Sequence, residues 1–428
     1  MFTLFLACTG GSSPRSDDPT APPDPVTSPD PTPPVEGAPT WWRDVRPVVS
    51  AQCANCHQDG DIGPFPLTTY AETAPWASAI AEVTAAGSMP PWPPSADCAP
   101  LQGDRRLSPD ALATLAAWAE AGAPEGDPAD GVDVEEPPPF VGDVDLAMAE
   151  PYTPSGGTDD YRCFVVDWPG SEPAYVTAYQ VFPGARELVH HVILYLADAD
   201  DAAAADAADE GPGYTCFGSS GVTSRMLGSW VPGVTGIELP AGTGVSVEPG
   251  TAVVMQMHYN TISAEPRPDT TEVALVTTDA VDEPAEPVLY TNPAWLVGGM
   301  QIPAGDGDVV HTTSISGGLL NLWTTSLDGG FGDPLVLSRI GLHMHTLGTS
   351  ATLKLKREDG TEQCLLDIPA WDFHWQGGYN LVDPVTVAPG DELELTCHWR
   401  NDGPGAIDVN WGEGTQDEMC LSGLYLSR

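Results

Sequence analysis

Hydrophobic positions change their period near residue 140. Before it, three groups recur at the three- and four-residue spacing of a helix with one apolar face: Val45, Val48 and Val49; Trp76, Ile80 and Val83; Leu112, Leu115 and Trp118. The third group has its own start and stop signals, with Ser108 in the N-cap position, Pro109 at the first helical position and Gly122 past the end. The spacing therefore predicts three short helices within 40–126. Beyond residue 140, short runs alternate or are wholly apolar, and turn residues separate them. Examples are AYVTAYQVF at 174–182, HHVILYL at 190–196, TAVVMQMHY at 251–259, LVLSRIGLHMH at 335–345, SATLKLK at 350–356 and DELELTCHW at 391–399. These read as strands, and REDGTE at 357–362 reads as a hairpin turn. Together they predict two all-β jelly-roll sandwiches, over 140–284 and 285–428. The Ala- and Asp-rich stretch 197–213 is expected to be an exposed loop.

Charge narrows the possible partners. The chain has 15 basic and 61 acidic residues, a formal charge of −46. A nucleic-acid-binding role is excluded, because no basic stripe exists to neutralise phosphates. Attraction to an anionic membrane surface is excluded on the same ground. Gly and Pro number 45 each, which fits a chain with many turns. MFTLFLAC at 1–8 reads as the end of a signal peptide and resembles a lipoprotein cleavage site with Cys8 as the lipidated residue. Residues 9–39, dense in proline, read as an extended tether, and 127–139 as a second acidic linker. The expected location is the bacterial cell envelope, periplasmic or surface-exposed, with membrane contact only through the N-terminal anchor.

Residues 53–57 read CANCH. Two thiols at this spacing, Cys53 and Cys56, can form thioethers to haem vinyl groups, and His57 can ligate the iron from the same turn. No second CxxC lies nearby to complete a zinc site. Met89, in SMPPWPP, sits where prolines hold the chain extended and can present a thioether to the opposite haem face. The stretch 40–126 resembles a cytochrome c domain. That resemblance implies a covalent haem c and a small all-α domain ahead of the sandwiches.

Five other histidines fall in three places. His343 and His345 are two apart on a strand and share a face. His258 ends a strand. His190 and His191 are adjacent, so both can serve one ion only where the strand ends or bulges. Imidazole suits copper, zinc or iron, and a thioether such as that of Met419, in DEMC, favours Cu(I).

HHVILY, QMHY, HMHTLG and DEMC occur in this order. With them, residues 140–428 resemble the copper type II, ascorbate-dependent monooxygenases, the family of peptidylglycine hydroxylating and dopamine β-monooxygenases. The resemblance implies two copper ions. His190, His191 and His258 would hold an electron-transfer copper, and His343, His345 and Met419 an oxygen-binding one. It also implies that Gln256 lines the inter-copper space, that Tyr161 lies near the first site, and that disulfides join Cys163 to Cys216 and Cys397 to Cys420. Cys98 and Cys364 receive no partner. Two positions depart from the peptide-hydroxylating members. Gly341 stands where an Arg is usual and Gly423 where a Tyr is usual, with Arg339 offset by two, so a peptide terminus is disfavoured as substrate. His374 falls in a segment resembling a family motif, while His311 and His398 read as structural.

The function expected is a monooxygenase that hydroxylates a C–H bond of a small organic substrate with O2. Electrons would come from an external ascorbate-like reductant or from the fused haem. The alternative is a non-catalytic copper- and haem-carrying lipoprotein for electron transfer or copper handling, and a third reading is a binding sandwich with incidental histidines.

Overall fold

The computed structural model describes residues 37–428, except 60–62, 135–138, 156, 235 and 263. Cys8 and the tether through residue 36 lie outside the described residues.

Strands dominate. A five-stranded antiparallel sheet runs in the order Tyr214–Thr215, Asp159–Asp167, Thr251–Asn260, Val189–Asp198, Ser224–Trp230. Facing it is half of a nine-stranded sheet, whose spine begins Val144–Ala147, Glu272–Thr278, Ala174–Phe182, Thr243–Val247. The same sheet continues through Glu283–Tyr290, Leu421–Ser427, Leu335–His343 and Gly378–Val387. That second half faces a four-stranded sheet of Asp306–Ser316, Glu392–Asn401, Gly348–Lys356 and Glu362–Ile368. Two sandwiches thus share one sheet. They join at a parallel pair, Glu283 beside Thr243 and Pro284 beside Gly244.

Period-two alternation aims the side chains. On Thr251–Asn260, Val253, Met255, Met257 and Tyr259 enter the first core, so Gln256 and His258 turn to the opposite face. Each fully buried Met contributes roughly 2 kcal/mol by burial. On Leu335–His343, Leu335, Leu337, Ile340 and Leu342 enter the second core across a bulge. Arg339, Gly341 and His343 fall on the other side. The 357–362 turn closes a hairpin between Gly348–Lys356 and Glu362–Ile368, through a bond from Arg357 N to Thr361 O. Stretch 197–213 is not wholly a loop. Ala199–Ala207 is helical, because the Asp198 carboxylate caps Asp200 N and Asp201 N and the alanines favour helix.

The expectation of a separate small all-α domain is overturned. Between residues 41 and 120 the helices are few and short: Trp41–Gln52, Tyr70–Ala85 in three pieces, and Pro109–Glu120. They share a small apolar cluster around Trp41, Val45 and Trp118. Ser108 does cap the third helix, its hydroxyl accepting from Ala111 N. The proline-rich chain between the second and third helices, however, leaves them and runs along the second sandwich. Ser95 N donates to Asp367 O at 2.8 Å, Val382 N to Pro100 O at 3.0 Å, and Gln102 N to Asn380 O at 2.8 Å. Trp92, Ala99 and Leu101 pack on the second core, and Cys98 is disulfide-bonded to Cys364. The physical reason is edge pairing. Glu362–Ile368 and Gly378–Val387 end their sheets, and an extended segment that cannot be helical covers both open edges.

Candidate metal centre

The first imidazole set depends on an irregular strand. Val189 pairs with Tyr259 and His191 with His258, so His190 is the extra residue of a bulge. Both adjacent rings therefore reach the same side, with Nδ1 of His190 3.3 Å from Nδ1 of His191. His190, His191 and His258 each offer a ligand atom, and these atoms lie within 4.8 Å of one another. On His258, Nε2 donates to Asp159 Oδ1 at 2.9 Å, while Nδ1 is buried with no hydrogen-bond partner. A buried, unpartnered imidazole nitrogen beside two others is what a metal ion would satisfy. Tyr161 stacks on the His258 ring at 4.2 Å and donates its hydroxyl to Glu413 O.

The second set sits where Leu335–His343 ends. His343 Nδ1 is bonded to Gln376 Oε1, and Gln376 Nε2 donates to Phe373 O, which fixes the amide's orientation. His345 Nδ1 donates to Asp417 O at 3.0 Å. Nε2 is left as the free nitrogen on both rings, which are 5.1 Å apart between centroids. Met419 is buried and lines the same cavity as His343 and His345. The Cys397–Cys420 disulfide holds the adjacent residue, and Cys163–Cys216 closes the other expected bridge.

The two sets face each other. The His191 and His343 rings are 6.4 Å apart and perpendicular. A cavity of about 370 Å³ is lined by His191, His343, His345, Met419, Gln256 and Tyr161, with an apolar wall that includes Leu227, Val234, Ile237 and Leu424. Gln256 Nε2 donates to Ser219 O at 2.8 Å. Burial, reinforced by the neighbouring imidazoles, pushes His190 and His343 down to about 3 and His191 and His345 below their ordinary value. Neutral rings keep their lone pairs for a cation. Burial opposes the Asp159 charge, but the bonds from His258 and Thr415 prevail and hold its carboxyl below the usual range. Burial pushes Glu413, also on the cavity wall, up to about 7.

Several residues escaped the sequence analysis. Asp159 receives His258 Nε2, Asn260 Nδ2 and, from the second sandwich, Thr415 Oγ1. It lies two before Tyr161 on the same strand face, which was the available signal. Glu418 accepts from His345 N, Leu347 N and Trp399 Nε1, tying the HMH turn to the segment bearing Met419. Only its place beside Met419 hinted at this. For Gln376 the sequence held no signal beyond proximity to His374, which is itself exposed and bonded to Asp372. His311 bonds Gln301 O and His398 bonds Asp308, both away from the cavity.

The CANCH residues lie on one turn at the end of Arg46–Gln52, with Cys56 N and His57 N both donating to Cys53 O. His57 Nδ1 donates to Phe65 O at 3.0 Å, and burial pushes the Cys53 thiol up to about 11. Met89 follows the helix Ala77–Ala85, its N donating to Val83 O.

Paired sandwiches thus bring two imidazole sets face to face at a shared cleft, one of them beside a thioether. Residues 335–426 match the family model of the copper type II ascorbate-dependent monooxygenase C-terminal domain. The chain is also similar to DBH-like monooxygenase protein 2 of Mus musculus, at 32% identity over 100 residues, covering 22% of this chain and 15% of that protein. DBH-like monooxygenase protein 1 of Gallus gallus is 32% identical over 84 residues, covering 19% and 13%. The matched segment thus spans less than a sixth of either relative. Among solved structures, the major capsid protein P2 from bacteriophage PM2 shares 11% identity, covering 66% of this chain and 97% of that one. Its TM-score is 0.28. The second sandwich therefore bears the signature of a copper-dependent oxidoreductase family, which binds copper and uses O2, a substrate and a reductant.

Proposed function

We propose that this chain is a copper monooxygenase that hydroxylates a C–H bond of a small organic molecule. The observation that carries the reading is convergence: His343, His345 and Met419 line one cavity with His191 and Gln256, although they come from distant stretches of chain. His190, His191 and His258 would hold one copper through the nitrogens left free, and His343, His345 and Met419 a second. Bound copper supplies the one-electron steps by which C–H, O2, two electrons and two protons become C–OH and water.

The chain's own residues do the rest. Asp159 and Gln376 fix which nitrogen of His258 and His343 faces the cleft. The apolar wall excludes water and accepts a hydrocarbon body. Glu413 is a carboxyl on that wall able to hold a proton near neutrality, and the reaction consumes two.

An ascorbate-like external reductant is the proposed electron source, with a haem attached at Cys53, Cys56 and His57 and completed by Met89 as a second donor. Support for the haem is the motif and the orientation of His57. A pyridine haemochrome assay on protein from a haem-maturing host tests the second donor; no haem leaves the external reductant alone. Lipid anchoring at Cys8 in the cell envelope is proposed from sequence, and mass spectrometry of the mature N-terminal peptide tests it.

Metal analysis and O2 uptake test the central reading. Two coppers per chain are expected, with uptake that depends on an added organic substrate. Met419→Ala should remove uptake while leaving the three-histidine copper in place. Copper binding with no substrate-dependent uptake across a substrate screen would favour a metal-carrying electron-transfer protein instead.

A further inference from the structure

One row of residues crosses the shared sheet beneath the cavity. Leu289 pairs with Gly423, Gly423 with Gly341, and Gly341 with Gly378. Their strand neighbours Val288, Leu424, Ile340 and Tyr379 enter the second core, so the row takes the opposite face, and all four of its residues line the imidazole cavity. Three in-register glycines therefore leave this part of the cavity floor as bare backbone.

Nothing in the backbone calls for glycine here. None of the three has a left-handed φ, and glycine in a strand interior gives up side-chain packing. At Gly423 an added Cβ would meet nothing nearer than Leu289 Cδ2 at 4.0 Å, so a side chain there would stand in the open cavity. At Gly341 the nearest atom is Gly377 O at 3.1 Å. At Gly378 the Arg339 guanidinium already covers the position, 2.6 Å from where a Cβ would lie. A strand glycine with free space above it marks a place where another group approaches the backbone closely.

The trench has two ends and a reactive side. Leu289 and Leu296, both exposed, stand at its mouth, and the Arg339 guanidinium over Gly378 closes it. Neighbouring strands lie about 4.8 Å apart, so about 10 Å of floor is clear between Leu289 and that guanidinium. His343 is two residues on from Gly341 along the same strand face, a step of about 7 Å. Val231, Val234 and Ile237, from the first sandwich, line the same cavity. A flat ring system touches such a floor across its whole face. A puckered one holds half its atoms away, and a gap of about 0.5–1 Å forfeits roughly a quarter to a half of each dispersion contact.

We infer that the substrate presents a flat, apolar, fused-ring body that lies on the backbone of Gly423 and Gly341, with one edge toward His343. Gly423 and Gly341 are then specificity-determining residues, and the length of the trench fits a pair of fused rings better than a single ring. This rests on the reading of the cavity as a substrate site.

The test is isothermal titration of the full chain, with and without added copper, using naphthylethanol, phenylethanol and decahydronaphthylethanol. The naphthyl alcohol should bind at least tenfold more tightly than either of the others. Gly423→Val puts a branched side chain on the floor, at a strand position that suits it, and should bring naphthyl affinity down to that of the phenyl alcohol. Circular dichroism and thermal unfolding check the fold of the variant. If Gly423→Val fails to fold, Gly423→Ala decides, and there the preference should fall at least threefold. Decahydronaphthyl binding as tight as naphthyl, no binding of the naphthyl alcohol, or a preference that survives the substitution overturns the inference. A naphthyl preference that the variant loses, without O2 consumption by the copper-loaded, reduced chain, would overturn the oxygenase reading and leave this one standing. O2 consumption coupled to phenylethanol but not to naphthylethanol would overturn this one alone.

Discussion

Replacing Cys98 and Cys364 together by Ser tests whether the N-terminal segment belongs to the second sandwich. The disulfide spans a sequence separation of 266 residues. Chain-entropy arguments give a cross-link of that span roughly 5 kcal/mol, less whatever the denatured chain keeps of its own compactness. Locally, residues 95–102 are held by three backbone bonds and by Gln102 Nε2 to Leu381 O. At about 1 kcal/mol each, those bonds give roughly 4 kcal/mol. Ordering eight residues costs about 8 kcal/mol of backbone entropy, somewhat less where proline already restricts the chain. Packing of Ala99 and Leu101 on the second core offsets roughly 2 kcal/mol more, and the covalent link supplies the remainder. The double variant should lose about 3–5 kcal/mol in urea unfolding followed by tryptophan fluorescence. Limited proteolysis should cut it within 88–107, where the parent chain resists. A loss under about 1 kcal/mol with an unchanged digestion pattern would refute the edge-covering argument.

Asp159→Asn should weaken copper binding at the three-histidine set by about 10- to 100-fold, because the carboxylate orients His258; competition against a Cu(I) chelator measures this, and a change within twofold contradicts it. Asp391 accepts from Arg357, Ala388 N and Glu358 N. Burial opposes its charge, but these bonds prevail and hold its carboxyl below the ordinary 3.8. Its stabilisation is thus present above about pH 3.8 and is lost as pH falls through the lower folded value. Asp391→Asn should cost about 1–3 kcal/mol at pH 7, with the gap from the parent closing in acid, as read by denaturation at a series of pH values.

Local chemistry was legible in the sequence because it is periodic. Strand alternation placed Gln256 and His258 on one face, Ser108 announced a helix start, and adjacent His190 and His191 required an irregular strand, which the bulge supplies. A loop expected at 197–213 became partly helical because alanine propensity and an Asp cap acted together.

What the tertiary structure alone decided was partnership across distance. The Cys98–Cys364 bond, the edge pairing of residues 95–102 and the dissolution of a separate helical domain depend on which sheet edges stay open, and no local pattern encodes that. Likewise, Asp159 meets Thr415 only once two sandwiches are packed side by side. Periodicity sets which face a side chain takes; packing of whole layers sets what stands opposite it.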